Sequence, residues 1–179
     1  MSTHTPRFTL ANPVDSSDHV VGPESARVMV VEYGDFECPS CRQAYPAVKQ
    51  LLQHFGSRVR FAFRHFPLTE VHPHAMLAAE AAEAAGAQHK FWEMHDMLFE
   101  HQLHLKEKDL RRYAETLELD LERFDYELRD EVYRQRVNEH IEGARESGVR
   151  ATPTFFVDGA IVDVSFGLQH LFEAVQARL

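Results

Sequence analysis

Cys38 and Cys41 stand three residues apart in the run Cys38-Pro39-Ser40-Cys41, and they are the only 2 cysteines in 179 residues. A bond between them would close a loop too short to constrain the unfolded chain much. A disulfide-stapled scaffold carries more cysteines, spread along its length. The spacing therefore points to chemistry, either thiol–disulfide exchange or metal ligation. Exchange needs a thiolate, and the ordinary thiol pKa of about 8.5 falls to roughly 3.5–7.5 in Cys-X-X-Cys pairs and at helix N-termini. Cys38, the first of the pair, is expected to be the exposed attacker. Cys41, one helical turn on, is expected to resolve the mixed disulfide.

Two distant residues join the pair as candidates. Glu32 lies six residues before Cys38 in an apolar run. A carboxylate buried there with a raised pKa would suit a proton acceptor for Cys41, although a strand-end acid reaching water is the plainer reading. Thr152-Pro153 precedes the apolar run Thr154-Phe155-Phe156-Val157. Proline so placed is confined to the first residue of a strand or to an edge. A cis bond there would turn the Thr152 backbone toward a neighbouring site.

The elements that must position these residues are legible as patterns. Val28 to Tyr33 is nearly continuous in apolar, β-branched character, which predicts a central strand buried on both faces. After Cys38, the stripe Ala44, Val48, Leu51, Leu52 and Phe55 predicts a helix, with Pro39 in its first turn, Gly56 as its stop and Pro46 as an internal kink. Arg58 to Phe66 reads as a second strand, with Val59, Phe61 and Phe63 alternating against Arg60, Ala62 and Arg64. Pro73 to Ser147 shows helical periodicity alone: Ala75 to Ala85, then a stripe from Phe91 to Phe99, then Leu110 to Leu117, then Phe124, Leu128, Val132 and Ile141 over two further helices. Asp158-Gly159 between Thr154–Val157 and Ala160–Val162 predicts a hairpin, and Leu168, Leu171, Phe172 and Val175 a last helix. An α/β sheet interrupted by a helical block accounts for this order.

Composition narrows the class. With 44% hydrophobic and 26% charged residues the chain is that of an ordinary globule. A net charge of −9 disfavours nucleic acid or an anionic membrane as partner. No apolar run reaches the roughly 18 residues of a membrane span. Residues 1–18 form a polar segment without the apolar stretch of a secretory signal, so the chain as written reads as cytoplasmic, or periplasmic if a leader was removed.

Four segments, Gly22-Pro23-Glu24-Ser25-Ala26, Val30 through Cys41, Phe91-Trp92-Glu93-Met94-His95-Asp96 and Gly148 through Val157, together resemble the DsbA-like branch of the thioredoxin superfamily. The resemblance covers roughly residues 19 to 179. It implies a thioredoxin fold, a central mixed β-sheet flanked by helices, formed by 19–66 and 148–179 with a helical domain inserted at 67–147. It implies Pro153 as a cis-proline beside the pair, Glu32 in the buried acid position and Pro46 as the helix kink. It further implies a substrate groove made of Pro39, Ser40, Thr152 and Pro153, a thiol- or disulfide-bearing protein substrate and a redox partner that resets the pair. No metal or organic cofactor is expected.

Departures bear on direction. Ser40 stands where well-known oxidases of this branch carry histidine, and a hydroxyl brings no charge to a thiolate. Asp35 and Glu37, if near the sulfur, would raise the pKa of Cys38 and argue against a strongly oxidising pair. Oxidation and reduction of disulfides therefore both stand as readings. Other classes weigh against them: a zinc module in which His72 and His74, or His101 and His104, join the cysteines; a glutathione-dependent transferase or isomerase that needs one cysteine only; a client-binding module without redox turnover; and a Cys–His hydrolase, for which no orienting acid is evident.

Overall fold

A computed structural model describes residues 8–179. Its five-stranded sheet runs in the order β1-β3-β2-β4-β5. At the centre, β2 (Val28–Gly34) pairs in parallel with β3 (Val59–His65) and antiparallel with β4 (Thr154–Val157). β1 (His19–Val21) and β5 (Ala160–Val162) close the two edges, both antiparallel. A parallel neighbour needs a crossover, and α1 (Pro39–Phe55) supplies it. This is the mixed sheet with flanking helices that the sequence predicts.

α1 begins at Pro39, where a missing N–H removes nothing from the helix, and buries Cys41, Ala44, Val48, Leu51 and Phe55. It ends on Gly56 at φ 55°, whose N–H reaches Leu52 O. The face beneath it is the larger core, where Val28, Val30, Phe61, Phe63 and Phe155 of the sheet are shut in. Each such side chain contributes roughly 1.5–3 kcal/mol by leaving water.

β3 corrects the alternation expected of it. Arg64 and Ala62 are as buried as Phe61 and Phe63, because the other face is covered too. Val31, Tyr33, Ala62, Phe66, Ala144, Val149 and Phe156 form a second core there. Arg64 is tolerated because every arm of its guanidinium is held: Asp18 accepts at 2.8 Å from both Nε and Nη2, and the Asn12 and Pro13 carbonyls and Tyr33 hydroxyl accept the rest. Residues 8–18, expected as a polar tail, lie along this face; Leu10 N–H donates to Gly159 O and Ala11 N–H to the Ser147 hydroxyl. Residues 1–7 of the expected tail lie outside the described residues.

Between β3 and β4 come α2 (Ala75–Gly86), α3 (Phe91–Glu100), α4 (Glu107–Thr116), α5 (Leu121–Arg129) and α6 (Arg134–Glu146). α2 is buried almost all round, and its alanines let α3, α5 and α6 approach closely. Val132, expected in a core stripe, sits exposed in the turn between α5 and α6. The hairpin forms as predicted, with Asp158 at φ 47° and Gly159 at φ 80°. α7 (Gln169–Gln176) then packs Leu171 and Val175 into the larger core.

Candidate active site

The end of β2, the N-terminus of α1 and the loop before β4 converge on the two sulfurs. Cys38 is the N-cap residue of α1, in extended conformation at φ −74° and ψ 122°, so the helix's free N–H groups open toward it. Its thiol reaches the Thr152 carbonyl at 3.6 Å, and the Thr152–Pro153 bond is cis. Cys41 lies one turn in with no exposure at all. Cys38 is the more open of the two yet only 6% exposed, a correction to the exposed attacker expected from the sequence. Both cysteines are free thiols. Pro39 and Ser40 stand exposed at the surface, while Thr152 is buried and Pro153 half-buried.

The two thiols have been driven apart. Cys38 is lowered to about 5, first by a hydrogen bond from Cys41; burial opposes this, and the Thr152 side chain and the N–H groups of Cys41 and Ser40 add to it. The Thr152 hydroxyl is buried with no hydrogen-bond partner, so it is free to turn toward the Cys38 thiolate. Cys41 is pushed well above 9, first by burial, then by its bond to Cys38 and the charges of Glu32 and Cys38. Glu32 is buried on β2 opposite Phe63 of β3 and Phe155 of β4. Burial, and then the charge of Cys38, raise it to about 8. Gly34 makes room for this arrangement: a Cβ there would come within 2.5 Å of the Phe63 ring and 3.1 Å of Glu32 Oε1. The structure thus brings Cys38, Cys41, Glu32 and Thr152 into one site.

The acids beside the pair behave otherwise than expected. Asp35 accepts from the Glu37 and Leu68 amides and pairs with His72 Nδ1 at 2.7 Å. Glu37 takes the His74 amide and His74 Nδ1, the latter at 2.8 Å. Neither acid is among the leading influences on the Cys38 thiol, whose pKa falls on balance. His72 is raised: burial would lower it, but the hydrogen bond to Asp35 and the charges of Asp35, Cys38 and Glu37 outweigh burial. Gln102, after α3, donates through Nε2 to both Phe36 O at 2.9 Å and Cys38 O at 2.8 Å. Sequence reasoning missed Gln102, and it took His72 and His74 as metal ligands and not as partners of Asp35 and Glu37. The matching spacing of Asp35-x-Glu37 and His72-x-His74 was the one available signal.

Among the described residues no cluster of possible metal ligands includes Cys38 or Cys41. His72 and His74 are engaged by carboxylates, and His101 stacks on Tyr113. Among the described residues the one cluster able to hold a metal is His65, Glu83 and His140, which includes neither cysteine.

A buried strand, a Cys-X-X-Cys pair capping the next helix and a proline loop against the first sulfur form an arrangement of the thioredoxin type. The sequence model of the family described as Thioredoxin matches residues 15–177, and the chain belongs to that family. BdbD from Bacillus subtilis superposes with a TM-score of 0.84 at 23% identity, covering 96% of this chain and 98% of that one. A thioredoxin-like oxidoreductase from Silicibacter pomeroyi superposes at 0.77 with 30% identity, covering 91% and 92%. The Na(+)/H(+) antiporter NhaA 1 of Salinispora arenicola is 54% identical over 91% of this chain. The chain spans about a quarter of that relative's length, 25%, so the name describes a much larger protein. No helix among the described residues is long and apolar enough to cross a membrane.

Proposed function

We propose that the chain is a dithiol–disulfide oxidoreductase acting on protein or small-molecule disulfides. What carries this reading is the opposed pair of thiols: Cys38 lowered to about 5 and Cys41 raised well above 9. The Cys38 thiolate attacks a substrate disulfide, forming one S–S bond and releasing a substrate thiolate. Cys41 then loses its proton to the Glu32 carboxylate and attacks Cys38, releasing the second substrate thiolate and leaving Cys38–Cys41 oxidised. The reverse sequence oxidises a substrate dithiol. A stabilised Cys38 thiolate stabilises the reduced form, so the pair leans toward donating its disulfide. That direction suits an oxidising compartment and a partner that re-oxidises the pair. Pro39, Ser40, Thr152 and Pro153 border the groove where the substrate sulfur arrives, and residues 67–147 form the insert beside it.

Equilibration with a glutathione redox series tests both the activity and its lean. The expected result is a reversible two-electron transition lying on the oxidising side of about −270 mV, the potential of thioredoxin. No redox transition removes the function, and a potential below that value reverses the direction. Cys41→Ala is expected to trap a mixed disulfide on Cys38; full turnover by this variant would instead favour a monothiol, glutathione-dependent enzyme.

A further inference from the structure

Proton transfer at Glu32 needs an exit, because the carboxyl is shut inside the sheet. A cavity of about 140 Å3 opens beside it, between the sheet, α1 and α3. Its walls are apolar apart from Glu32, His95, Asp96, Lys49 and Tyr45. At roughly 30 Å3 for a water in the liquid, it has room for a short file of waters with polar partners at both ends.

His95 is the unexplained group in that wall. It comes from the run Phe91-Trp92-Glu93-Met94-His95-Asp96 and sits 5% exposed in a cage of Phe36, Phe63, Trp92 and Phe99 rings. Nδ1 is bound to Asp96 Oδ1 at 3.0 Å, while Nε2 is buried with no partner. Asp96 is partly exposed, and its other oxygen holds Lys49 Nζ at 2.8 Å. With Nδ1–H donated to Asp96, the bare lone pair of Nε2 is left on the buried side.

We infer that His95 and Asp96 relay the proton between Glu32 and solvent through water in this cavity. The inference rests on the thiol–disulfide reading above. A mixed disulfide on Cys38 removes the negative charge that helps hold the proton on Glu32. Glu32 then releases its proton to the water file, His95 accepts at Nε2 and gives up its Nδ1 proton to Asp96, and Asp96 passes it to bulk water. The freed carboxylate is ready for the Cys41 proton. Oxidation of a substrate runs the same path inward, since the leaving Cys41 thiolate takes its proton from Glu32. His95 touches neither sulfur; it acts through Glu32. The titratable groups facing it are Glu32 from β2, His65 from β3, Tyr45 and Lys49 from α1 and its own neighbour Asp96. Burial keeps His95 below its usual range, so it carries the added proton only in passing.

The test is stopped-flow resolution of a peptide mixed disulfide on Cys38, followed across pH in H2O and D2O. His95→Ala and Asp96→Asn are each expected to slow resolution on the order of ten-fold. Cys38 alkylation should keep its wild-type rate in both. Added imidazole should restore His95→Ala. Slowing that imidazole does not reverse means that His95 only supports the fold, and unchanged rates remove the relay outright. If His95→Ala fails to fold, Asp96→Asn decides: slowing with an enlarged solvent isotope effect supports the relay, and the absence of either overturns it. Glu32→Gln separates the two layers of the argument. Slowing by Glu32→Gln alone sinks only the relay, whereas no effect of Glu32→Gln also removes Glu32 from the proposed function.

Discussion

At the rim of the sulfur site, Asp35 and Glu37 hold His72 and His74 at 2.7 and 2.8 Å. Between α2, α6 and the sheet, Glu83 holds His19 and His65 at 2.8 and 2.9 Å. The residue types are the same, yet His72 and His65 shift in opposite directions. His72 is raised, because Asp35 and the negative charges of Cys38 and Glu37 outweigh its burial. His65 and His140 are lowered, first by burial, then by neighbouring positive charge including Arg136. Glu83 also has Arg136 at 3.2 Å, and the buried, lowered His65 serves there as a hydrogen-bonding group. A carboxylate–histidine contact therefore means a counter-ion at the rim and a structural joint in the interior. The local supply of other charges decides which.

The largest expected effect lies at the joint. Glu83→Ala leaves Arg136, His19 and His65 without their acceptor and should cost about 3–5 kcal/mol of unfolding free energy in a denaturant titration. A loss under about 1 kcal/mol would mean that the cluster is no joint at all. Acid should act on the same place. His140 is lowered from 6.5 to about 3, so its folded pKa lies below its unfolded one. Its stabilisation is complete above pH 6.5 and fades as pH falls toward 3, and the lowered Glu83 carboxyl works in the same sense. His72 has the opposite sign, contributing fully below 6.5 and less as pH rises. Denaturant midpoints measured across this range should fall toward acid; a flat profile would erase the contrast.

Smaller effects belong to the rim. His72→Ala leaves the Asp35 charge unbalanced near the thiolate and should raise the pH midpoint of Cys38 alkylation by about one unit. Thr152→Val deletes one donor to the thiolate. A hydrogen bond worth about 0.5–1.5 kcal/mol, at 1.36 per pKa unit, gives a shift of roughly half a unit. If Thr152→Val outweighs His72→Ala, the hydroxyl and not the counter-ion governs that sulfur.

Much of this was visible in the sequence, for physical reasons. The β2–α1–β3 crossover and the Asp158-Gly159 hairpin follow from local patterns: β-branched runs, a helical stripe and a turn that needs positive φ. The pairing of Cys38 with Cys41 is equally local. β1 escaped notice because three residues, His19 to Val21, are too few to show a period. The second core escaped because Arg64 on β3 reads as solvent-facing until Asp18, Asn12 and Pro13 are seen to enclose it. The partners of Asp35 and Glu37 escaped for a related reason. Their charge is visible in the sequence, but the histidines that answer it arrive 37 residues later and only through the fold.

Gln102 sits on the short connection after α3, and its amide grips the peptide groups of Phe36 and Cys38 on either side of Glu37. Its neighbour Leu103 is 82% exposed. The connection is thus a lever with one arm in solvent and the other clamped to the backbone that carries the nucleophilic sulfur. Any displacement of this connection therefore acts on the two hydrogen bonds that hold the backbone of Cys38.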